Sequence, residues 1–557
     1  MNMRNRLLAI LLGTVTMISV LSGCGKNSGS GSTHIAPADG GASESGVTGQ
    51  ISTASGESEA EASEGIESEA AASAIEERRE EAENSGTYKK VVYALYTWTG
   101  KPAGTQRVQD AMNEILRDKL ALEVELLPMD FASYAQNIRM MLSAGEQIDI
   151  FGINPLGYSQ TVNDGYLIDL EEDGLLDKYG QGIKSCLPEK YIDALRINGT
   201  LYSLAPVKDF AIGAETYCIG REYLDGIGYD YSSKDDEQGV IHTTRDEISE
   251  IFESLHGKFP DKYVFAVSPN TFGQGSVVDP IGGDWFGVLM DPVNSLEVED
   301  LFSSDEFMNR CKVVYEWNQK GYISADALTD STSISAQIKA GTHMAMMSQG
   351  KPGYQVQISA ECGRPMELFQ VAPDIMKSSA VSSVNHGISC NCEDTVAAMQ
   401  LLNELYTNPE LSNLLVWGQE GKDYVMTEDG HITFPEGVDP SNAEYYHTMN
   451  WEMPNSYICY AWEGDSLTLG EDMKKFNDAA QVSKAMGFTF DNSSLAAEYT
   501  ALTNVYEQYY KQLFYGFLDP EVGVPQMETD LKAAGLDEYI EAKKEALDKW
   551  AEANGVQ

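Results

Sequence analysis

Carboxylates are the most abundant side chains here that could do chemistry, with 86 aspartates and glutamates against 38 lysines and arginines and seven histidines. A carboxylate pair can hydrolyse a glycosidic bond, but its spacing exists only in three dimensions. The chain has no Gly-x-Ser-x-Gly elbow, no His-Glu-x-x-His helix and no phosphate-binding Gly-x-x-x-x-Gly-Lys segment. We therefore predict no catalytic residues and no enzyme activity.

Two local patterns suggest metal or redox chemistry but fit it poorly. The acidic run at 169–174 resembles a calcium loop, yet its twelfth position is Gly180 instead of a bidentate glutamate, which favours helix-capping acids. Cys390 and Cys392 lack the two-residue gap of zinc knuckles and thioredoxin-like sites. We predict no metal and no cofactor, and we expect the cysteines after Cys24 to be mainly buried thiols.

The amino terminus has the pattern of a secretory signal peptide. Arg4 and Arg6 precede an apolar run at 7–20, which is too short to span a bilayer. Leu-Ser-Gly-Cys at 21–24 resembles the lipobox of bacterial lipoproteins, whose cysteine thiol receives the lipid, such as palmitate. The resemblance implies a signal peptide at 1–23 and a lipid anchor at Cys24, on the extracellular face of the cell membrane. The alternative is an ordinary signal peptide with an incidental cysteine.

Residues 24–87 are mainly Ser, Gly, Ala and Glu, which predicts a flexible acidic linker after the anchor, with a possible short helix at 74–83. The formal net charge of the whole chain is −48. Such charge repels phosphate backbones and anionic lipid, so we predict no nucleic-acid partner and expect a neutral or cationic ligand. No later apolar run is long enough to span a bilayer.

The remaining body alternates strands and helices. Apolar runs at 91–96, 122–127 and 148–153 predict strands, and apolar residues at helical spacing predict helices at 108–120 and 131–142. This order predicts a doubly wound α/β lobe. Hairpins are predicted at Asn198-Gly199 and Asp429-Gly430, a capping box at Thr244 to Glu247, and long helices at 495–514 and 536–553.

Several segments resemble the extracellular solute-binding proteins of ABC importers, in the family 1-like lipoprotein subgroup that handles oligosaccharides. The segments are Gly-Tyr-Leu-Ile-Asp-Leu at 165–170, Asn-Gly-Thr-Leu-Tyr at 198–202, Trp-Gly-Gln-Glu-Gly-Lys-Asp-Tyr at 417–424, and the close of the chain at 531–536 and 547–550. The last two are similar to a subgroup with an extra helical C-terminal domain.

The resemblance implies an α/β, two-lobed periplasmic-binding-protein-like fold of type II, with the lobes joined by crossing hinge strands and a helical C-terminal extension. The implied parts are lobe 1 at 88–210 with a return at 379–430, and lobe 2 at 211–378 with a return, including the extension, at 431–557. The crossings are expected near 208–214 and 371–383.

A sugar site needs aromatic faces for the ring and hydrogen-bond partners for the hydroxyls. Trp98 follows a predicted strand end, where an open α/β sheet binds ligands. Ten residues are the candidate ligand contacts: Trp98, Asn154, Tyr217, Asp284, Trp285, Tyr354, Asn385, Trp451, Asn455 and Trp462. For each aromatic residue, core packing is the alternative.

We therefore expect a monomeric, membrane-anchored binding protein that captures a small carbohydrate, an oligosaccharide, between its lobes and delivers it to ABC permease subunits. The alternatives are a surface-anchored glycoside hydrolase and a protein that binds a peptide or a cationic ligand.

Overall fold

The computed structural model describes residues 68–98, 100–232, 239–268, 276–440, 442–445 and 450–557. The predicted signal peptide, Cys24 and most of the predicted linker lie outside the described residues. In the described ranges no helix has both the length and the apolar content that a membrane crossing requires.

The described strands are β1 (Lys89–Thr97), β2 (Leu122–Asp130), β3 (Ile150–Gly152), β4 (Arg196–Ile197), β5 (Thr200–Leu201), β6 (Ile212–Gly220), β7 (Val240–His242), β8 (Tyr263–Ala266), β9 (Val288–Leu289), β10 (Val298–Glu299), β11 (His343–Gly350), β12 (Met366–Gln370), β13 (Asp374–Met376), β14 (His386–Ile388), β15 (Val425–Met426), β16 (Ile432–Thr433) and β17 (Gln481–Val482). The described helices are α1 (Glu69–Ser85), α2 (Thr105–Leu120), α3 (Phe131–Ala144), α4 (Tyr158–Asn163), α5 (Leu175–Tyr179), α6 (Gln181–Cys186), α7 (Glu189–Asp193), α8 (Arg221–Ile227), α9 (Arg245–Lys258), α10 (Asp305–Gln319), α11 (Ile334–Lys339), α12 (Tyr354–Cys362), α13 (Thr395–Thr407), α14 (Pro409–Trp417), α15 (Leu469–Ala479), α16 (Ala496–Phe514), α17 (Pro520–Ala533) and α18 (Leu536–Asn554).

The first sheet has the strand order β14-β3-β1-β2. β1 is parallel to β2, with Val91 paired to Val124, and parallel to β3, with Tyr93 paired to Ile150. Both faces of β1 are covered, which explains its continuous apolar run. The strand-helix-strand-helix-strand order predicted for residues 91–153 is confirmed.

The second sheet is built around β6, which is antiparallel to β11, β12 and β13. β8 is parallel to β11, β7 to β12, and β17 to β13. The helices α16 to α18 end the chain against this half of the molecule, because Leu502, Phe514 and Tyr539 belong to the same core as Phe265 on β8. They form the helical C-terminal extension.

Two large apolar cores define two lobes. The chain leaves the first core at Ala211 and enters the second at Tyr217, then returns between Phe369 and Met376. It leaves the first core for the last time after Phe476. The two-lobed α/β fold with crossing segments is therefore confirmed.

The last of these crossings differs in position from the expectation. The return to lobe 2 was predicted at residue 431, but Ile432, Tyr445 and Phe476 still belong to the first core. After them, Ala485 is the next buried residue that belongs to a lobe-2 cluster. The Tyr445 hydroxyl donates to the Leu415 carbonyl over 2.6 Å, which holds this stretch on α14. The cores to which these residues belong therefore place the crossing about fifty residues later than expected. Lobe 1 gains a stretch of chain about the size of a small subdomain.

The predicted linker also ends earlier than residue 87. Ser68 caps α1 by accepting from the Ala71 amide, and Gly86 at φ 73° ends the helix. Ile75 is buried in the lobe-1 core, and the buried Arg78 donates to the Leu120 carbonyl over 3.2 Å. Gln400 on α13 also donates to the Ala71 carbonyl over 3.0 Å, so apolar packing and several hydrogen bonds dock α1 on lobe 1.

Candidate functional site

The candidate site lies at the carboxyl ends of the lobe-1 strands. β1 has β2 on one side and β3 on the other, and the connections leave in opposite directions, which opens a crevice at the edge of a parallel sheet. Trp98 follows β1, and Asn154 follows β3 as the first residue of a short 3-10 helix. The amide of Ile153 donates to the carbonyl of Asn385, just before β14, so this edge adjoins the second crossing.

Aromatic rings line this crevice. Trp98 is 55% exposed, and its ring lies 4.9 Å from the Phe131 ring. Phe131 and Tyr134 pack edge-on against Tyr96 at 5.5 and 5.1 Å, and Trp451 lies 6.4 Å from Tyr96 on the other side. The result is an open aromatic surface supported by buried tyrosines.

Three polar groups lie next to these rings: the Tyr96 hydroxyl, the Asn154 amide and the Glu452 carboxylate. The side chains of Asn154 and Glu452 lie near the Tyr96 hydroxyl and influence its pKa. Burial, followed by the charge of Glu452, raises the pKa of Tyr96 well above its ordinary value, so the phenol stays protonated. Glu452 is only 1% exposed, and a short 3-10 helix at Asn450–Glu452 holds it next to Trp451.

We call the set of Tyr96, Trp98, Phe131, Asn154, Trp451 and Glu452 the lobe-1 crevice. Its exposed indole can cover the apolar CH face of a sugar ring, and the half-buried Asn154 amide can bond to hydroxyls, while the Tyr96 phenol and the Glu452 carboxylate lie buried behind them. The described residues contain no group of three or more His, Cys, Asp or Glu side chains that could hold a metal ion. The crevice residues can stack on a ligand and form hydrogen bonds with it.

Three of the ten candidates from the sequence thus meet here: Trp98, Asn154 and Trp451. The crevice also contains Tyr96, Phe131 and Glu452, which sequence reasoning missed. Tyr96 belongs to the apolar run at 91–96 and was interpreted only as a strand residue. The local signal for Glu452 is its position directly after Trp451 in the sequence.

Two candidate asparagines are occupied inside lobe 1. Asn385 is buried and donates to the Ser203 hydroxyl over 2.9 Å. Asn455 is buried and donates to the Tyr406 carbonyl over 2.7 Å. Trp462 stacks on Trp417 at 5.4 Å and 18°, in a separate aromatic cluster. None of the three belongs to the lobe-1 crevice.

The lobe-2 candidates are also engaged in packing. The Tyr217 hydroxyl lies 3.3 Å from Glu215 in the core, and the buried Tyr354 hydroxyl bonds to Ser348. Asp284 accepts from Lys543 and from Tyr539, each over 2.8 Å. Trp285 packs partly buried against the lobe-2 core. Their internal partners leave them out of the proposed site.

The carboxyl edge of the second sheet carries a charged cluster instead. Arg245, the first residue of α9, makes a two-pronged contact with Glu215 at 2.7 and 2.9 Å and reaches Glu306 at 2.7 Å. Arg310 bonds to both carboxylates. A cavity of about 40 Å³ lies against Tyr217 within this lobe, which is room for a few water molecules and too small for a sugar.

The seven cysteines of the described residues are unpaired, and Cys218, Cys311 and Cys362 among them are buried. Burial raises the pKa of the Cys311 thiol to about 12, so it stays a neutral, inert group. These thiols contribute to packing.

Comparisons with known proteins bear on the fold. A family model described as a domain of unknown function, DUF3502, matches residues 484–552, which span most of the C-terminal extension. A carbohydrate ABC transporter substrate-binding protein of Streptococcus pneumoniae serotype 4 (strain ATCC BAA-334 / TIGR4) is 24% identical over 455 residues, covering 81% of this chain and 89% of the relative. The N-glycan transport solute binding protein NgtS from Streptococcus pneumoniae superposes with a TM-score of 0.73 at 22% identity, over 83% of this chain and 99% of NgtS. The chain has the solute-binding-protein fold.

Further solved structures share this solute-binding-protein fold. NgtS in complex with Man1GlcNAc superposes with a TM-score of 0.65 at 22% identity, over 83% of this chain and 100% of that one. An extracellular solute-binding protein from Bifidobacterium longum subsp. infantis has a TM-score of 0.57 at 16% identity, over 83% and 99% of the two chains. The predicted resemblance to the solute-binding proteins of ABC importers is confirmed.

Proposed function

We propose that this protein captures an oligosaccharide between its two lobes outside the cell and delivers it to an ABC permease, without chemical conversion of the ligand. The observation that carries the proposal is the exposed Trp98 at the carboxyl edge of the lobe-1 sheet, backed by Asn154 and Glu452. The 55% exposed indole, next to the Phe131 ring, offers an apolar face that a sugar ring can cover.

The relatives support a carbohydrate in particular. The Streptococcus pneumoniae relative is named for carbohydrate transport, and NgtS was solved with Man1GlcNAc and with Man5GlcNAc. The lobe-1 crevice offers the two requirements of such ligands, an apolar platform and clustered hydrogen-bond partners. The acidic charge of the chain fits a neutral ligand better than an anionic one.

The test is a binding panel on the mature chain with Cys24→Ala, which removes the lipid. The probes are Man1GlcNAc, Man5GlcNAc, maltotriose, cellotriose and xylotriose, with a tripeptide and spermidine as non-sugar ligands. We expect one or more sugars to raise the melting temperature and to bind in calorimetry, and chromatography to recover them intact. Binding of only the peptide or spermidine contradicts the carbohydrate assignment, and sugar hydrolysis contradicts a pure binding role.

We also propose that the lipid anchor at Cys24 holds the protein beside the permease, since a tether raises the local concentration of a bound partner. Cys24→Ala should move the protein from the membrane fraction to the medium while ligand affinity is unchanged. Retention of the variant on the membrane contradicts anchoring through this thiol.

A further inference from the structure

An ion pair joins the first crossing to lobe 2. Asp209 lies in the crossing segment before β6, and Lys351 follows β11 directly. The Lys351 ammonium lies 3.0 Å from Asp209 Oδ2, and the Lys208 ammonium lies 3.8 Å from Asp209 Oδ1. We call these three residues the hinge cluster.

The hinge cluster lies where the first crossing meets the end of β11. β11 ends there at the carboxyl edge of the second sheet, which places Lys351 on the ligand-binding side of lobe 2. From the lobe-1 side, Asn477 on α15 accepts from the Phe210 and Ala211 amides at 2.8 and 3.0 Å and donates to the Lys208 carbonyl over 2.8 Å. The crossing is therefore held by both lobes, and Asp209 lies between them.

The charged groups of the hinge cluster retain hydrogen-bonding capacity. An ammonium has three N–H donors, and within the described residues Lys351 uses one of them, on Asp209. The Lys351 side chain is 26% exposed and the Asp209 side chain 19%. Lys208 donates to the backbone carbonyl of Asp209 over 2.8 Å, and its distance from the carboxylate is too long for a hydrogen bond.

Electrostatics favour the charged form of the Asp209 carboxylate. Desolvation acts to raise the pKa of Asp209, but Lys351 and Lys208 lower it overall. Burial lowers the pKa of Lys208, and Asp209 opposes that effect. The neighbouring carboxyl group of Asp465 has its pKa raised by burial, against the charges of His431 and Lys351.

We propose that Asp209 and Lys351 form the polar floor of the ligand site and bind two adjacent hydroxyls of a neutral sugar ring. One hydroxyl donates to the Asp209 carboxylate and the other accepts from the Lys351 ammonium, each a charge-assisted bond. The proposal rests on the proposed function and adds the hydroxyl-bearing edge of the sugar to the face covered by Trp98. Because Asp209 belongs to the crossing and Lys351 to lobe 2, a sugar held by this pair also fixes the lobes relative to each other.

The test uses Asp209→Asn and Lys351→Met in the mature chain with Cys24→Ala, against the five sugars of the panel. We expect the Kd of every sugar bound by the parent to rise at least tenfold in each variant, and Lys351→Arg to recover most of the affinity. The matched control is Lys90→Met, which breaks an exposed ion pair of 2.9 Å with Glu125 at the amino end of the lobe-1 sheet. Its Kd should stay within twofold.

The outcomes separate the two claims. If the parent binds a sugar and both variants keep its Kd within twofold, the inference is overturned and the proposed function stands. A lower melting temperature of the free variants with unchanged Kd also overturns it, because the pair is then purely structural. If the parent binds none of the five sugars, both the inference and the proposed function are overturned. Should one variant fail to fold, the other carries the comparison.

Discussion

Trp98 and Tyr88 flank β1 at its two ends and are both well exposed, at 55% and 41%. Only Trp98 stands at the carboxyl edge, beside Phe131. Trp98→Ala should weaken sugar binding roughly tenfold, or about 1.4 kcal/mol, because a stacking surface is lost. Isothermal calorimetry with the panel sugars measures the change. Tyr88→Ala is the matched control, and equal losses in the two variants would place the site elsewhere.

A pH effect follows from two buried histidines, His343 in lobe 2 and His386 in lobe 1. Burial lowers the pKa of each from 6.5 to about 4, with Asp330 opposing the effect at His343. Between these values the unfolded chain binds protons that the folded chain does not, so the free energy of unfolding falls as pH falls from 6.5 towards 4. Each histidine contributes up to about 3 kcal/mol to this loss.

Urea unfolding between about pH 7 and 4.5 measures the effect. His386→Gln should flatten the pH dependence relative to the parent, since glutamine does not titrate. The exposed His242 is the control position, and His242→Gln should retain the parent slope. Identical slopes for the parent and His386→Gln would show that this histidine is protonated equally in both states.

Among the elements, α18 is tied to lobe 2 by a buried charge. Lys543 is fully buried and donates to Asp284 over 2.8 Å and to the Gly287 carbonyl over 3.1 Å. Lys543→Met leaves the Asp284 carboxylate buried without its cation, which typically costs 3–5 kcal/mol, so we expect a loss of about 3 kcal/mol in unfolding free energy. Lys549→Met, on the exposed part of the same helix, should change it by less than about 0.5 kcal/mol.

Urea unfolding followed by circular dichroism compares the two lysine variants. The double variant Asp284→Asn with Lys543→Met should lose less than the two single variants together, because the partners share one interaction. Additive losses would mean that the contact contributes nothing of its own and that α18 is held by apolar packing alone.

Local sequence patterns correctly predicted turns and helix caps, because these elements depend on interactions between residues that are close in sequence. Asn198 and Gly199 have φ values of 53° and 85°, as the predicted tight hairpin requires, and Thr244 forms the predicted capping box. Prediction of the crevice would have required knowledge of the tertiary packing. Tyr96 and Glu452 are far apart in sequence, and only the packing of the 450–455 stretch against β1 brings them together. Residue type alone suggested Trp98 and Trp451 as candidates, but only the tertiary fold brings them into the same crevice.

At the scale of the whole molecule, the arrangement of the lobes is open to test. We expect a bound sugar to close the lobes by hinge motion and to reduce the radius of gyration by an amount on the order of 1 Å. Small-angle scattering on the Cys24→Ala chain, with and without the bound panel sugar, measures it.

The control for closure is Trp98→Ala at a sugar concentration that saturates the parent but not the variant. Its radius of gyration should stay near the unliganded value. If the radius of gyration of the saturated parent protein does not change, the ligand enters a preformed space and the crossings do not act as hinges.

The docking of α1 has a mechanical consequence. The Arg78 side chain donates to the carbonyl of Leu120, the last residue of α2. This contact lies at the amino edge of the lobe-1 sheet, opposite the crevice. A pull applied to the chain at Ser68 is therefore transmitted into lobe 1 through α1 and does not load the crossings at 208–214. We therefore expect a force applied at Ser68 to act on lobe 1 and to leave the angle between the lobes unchanged.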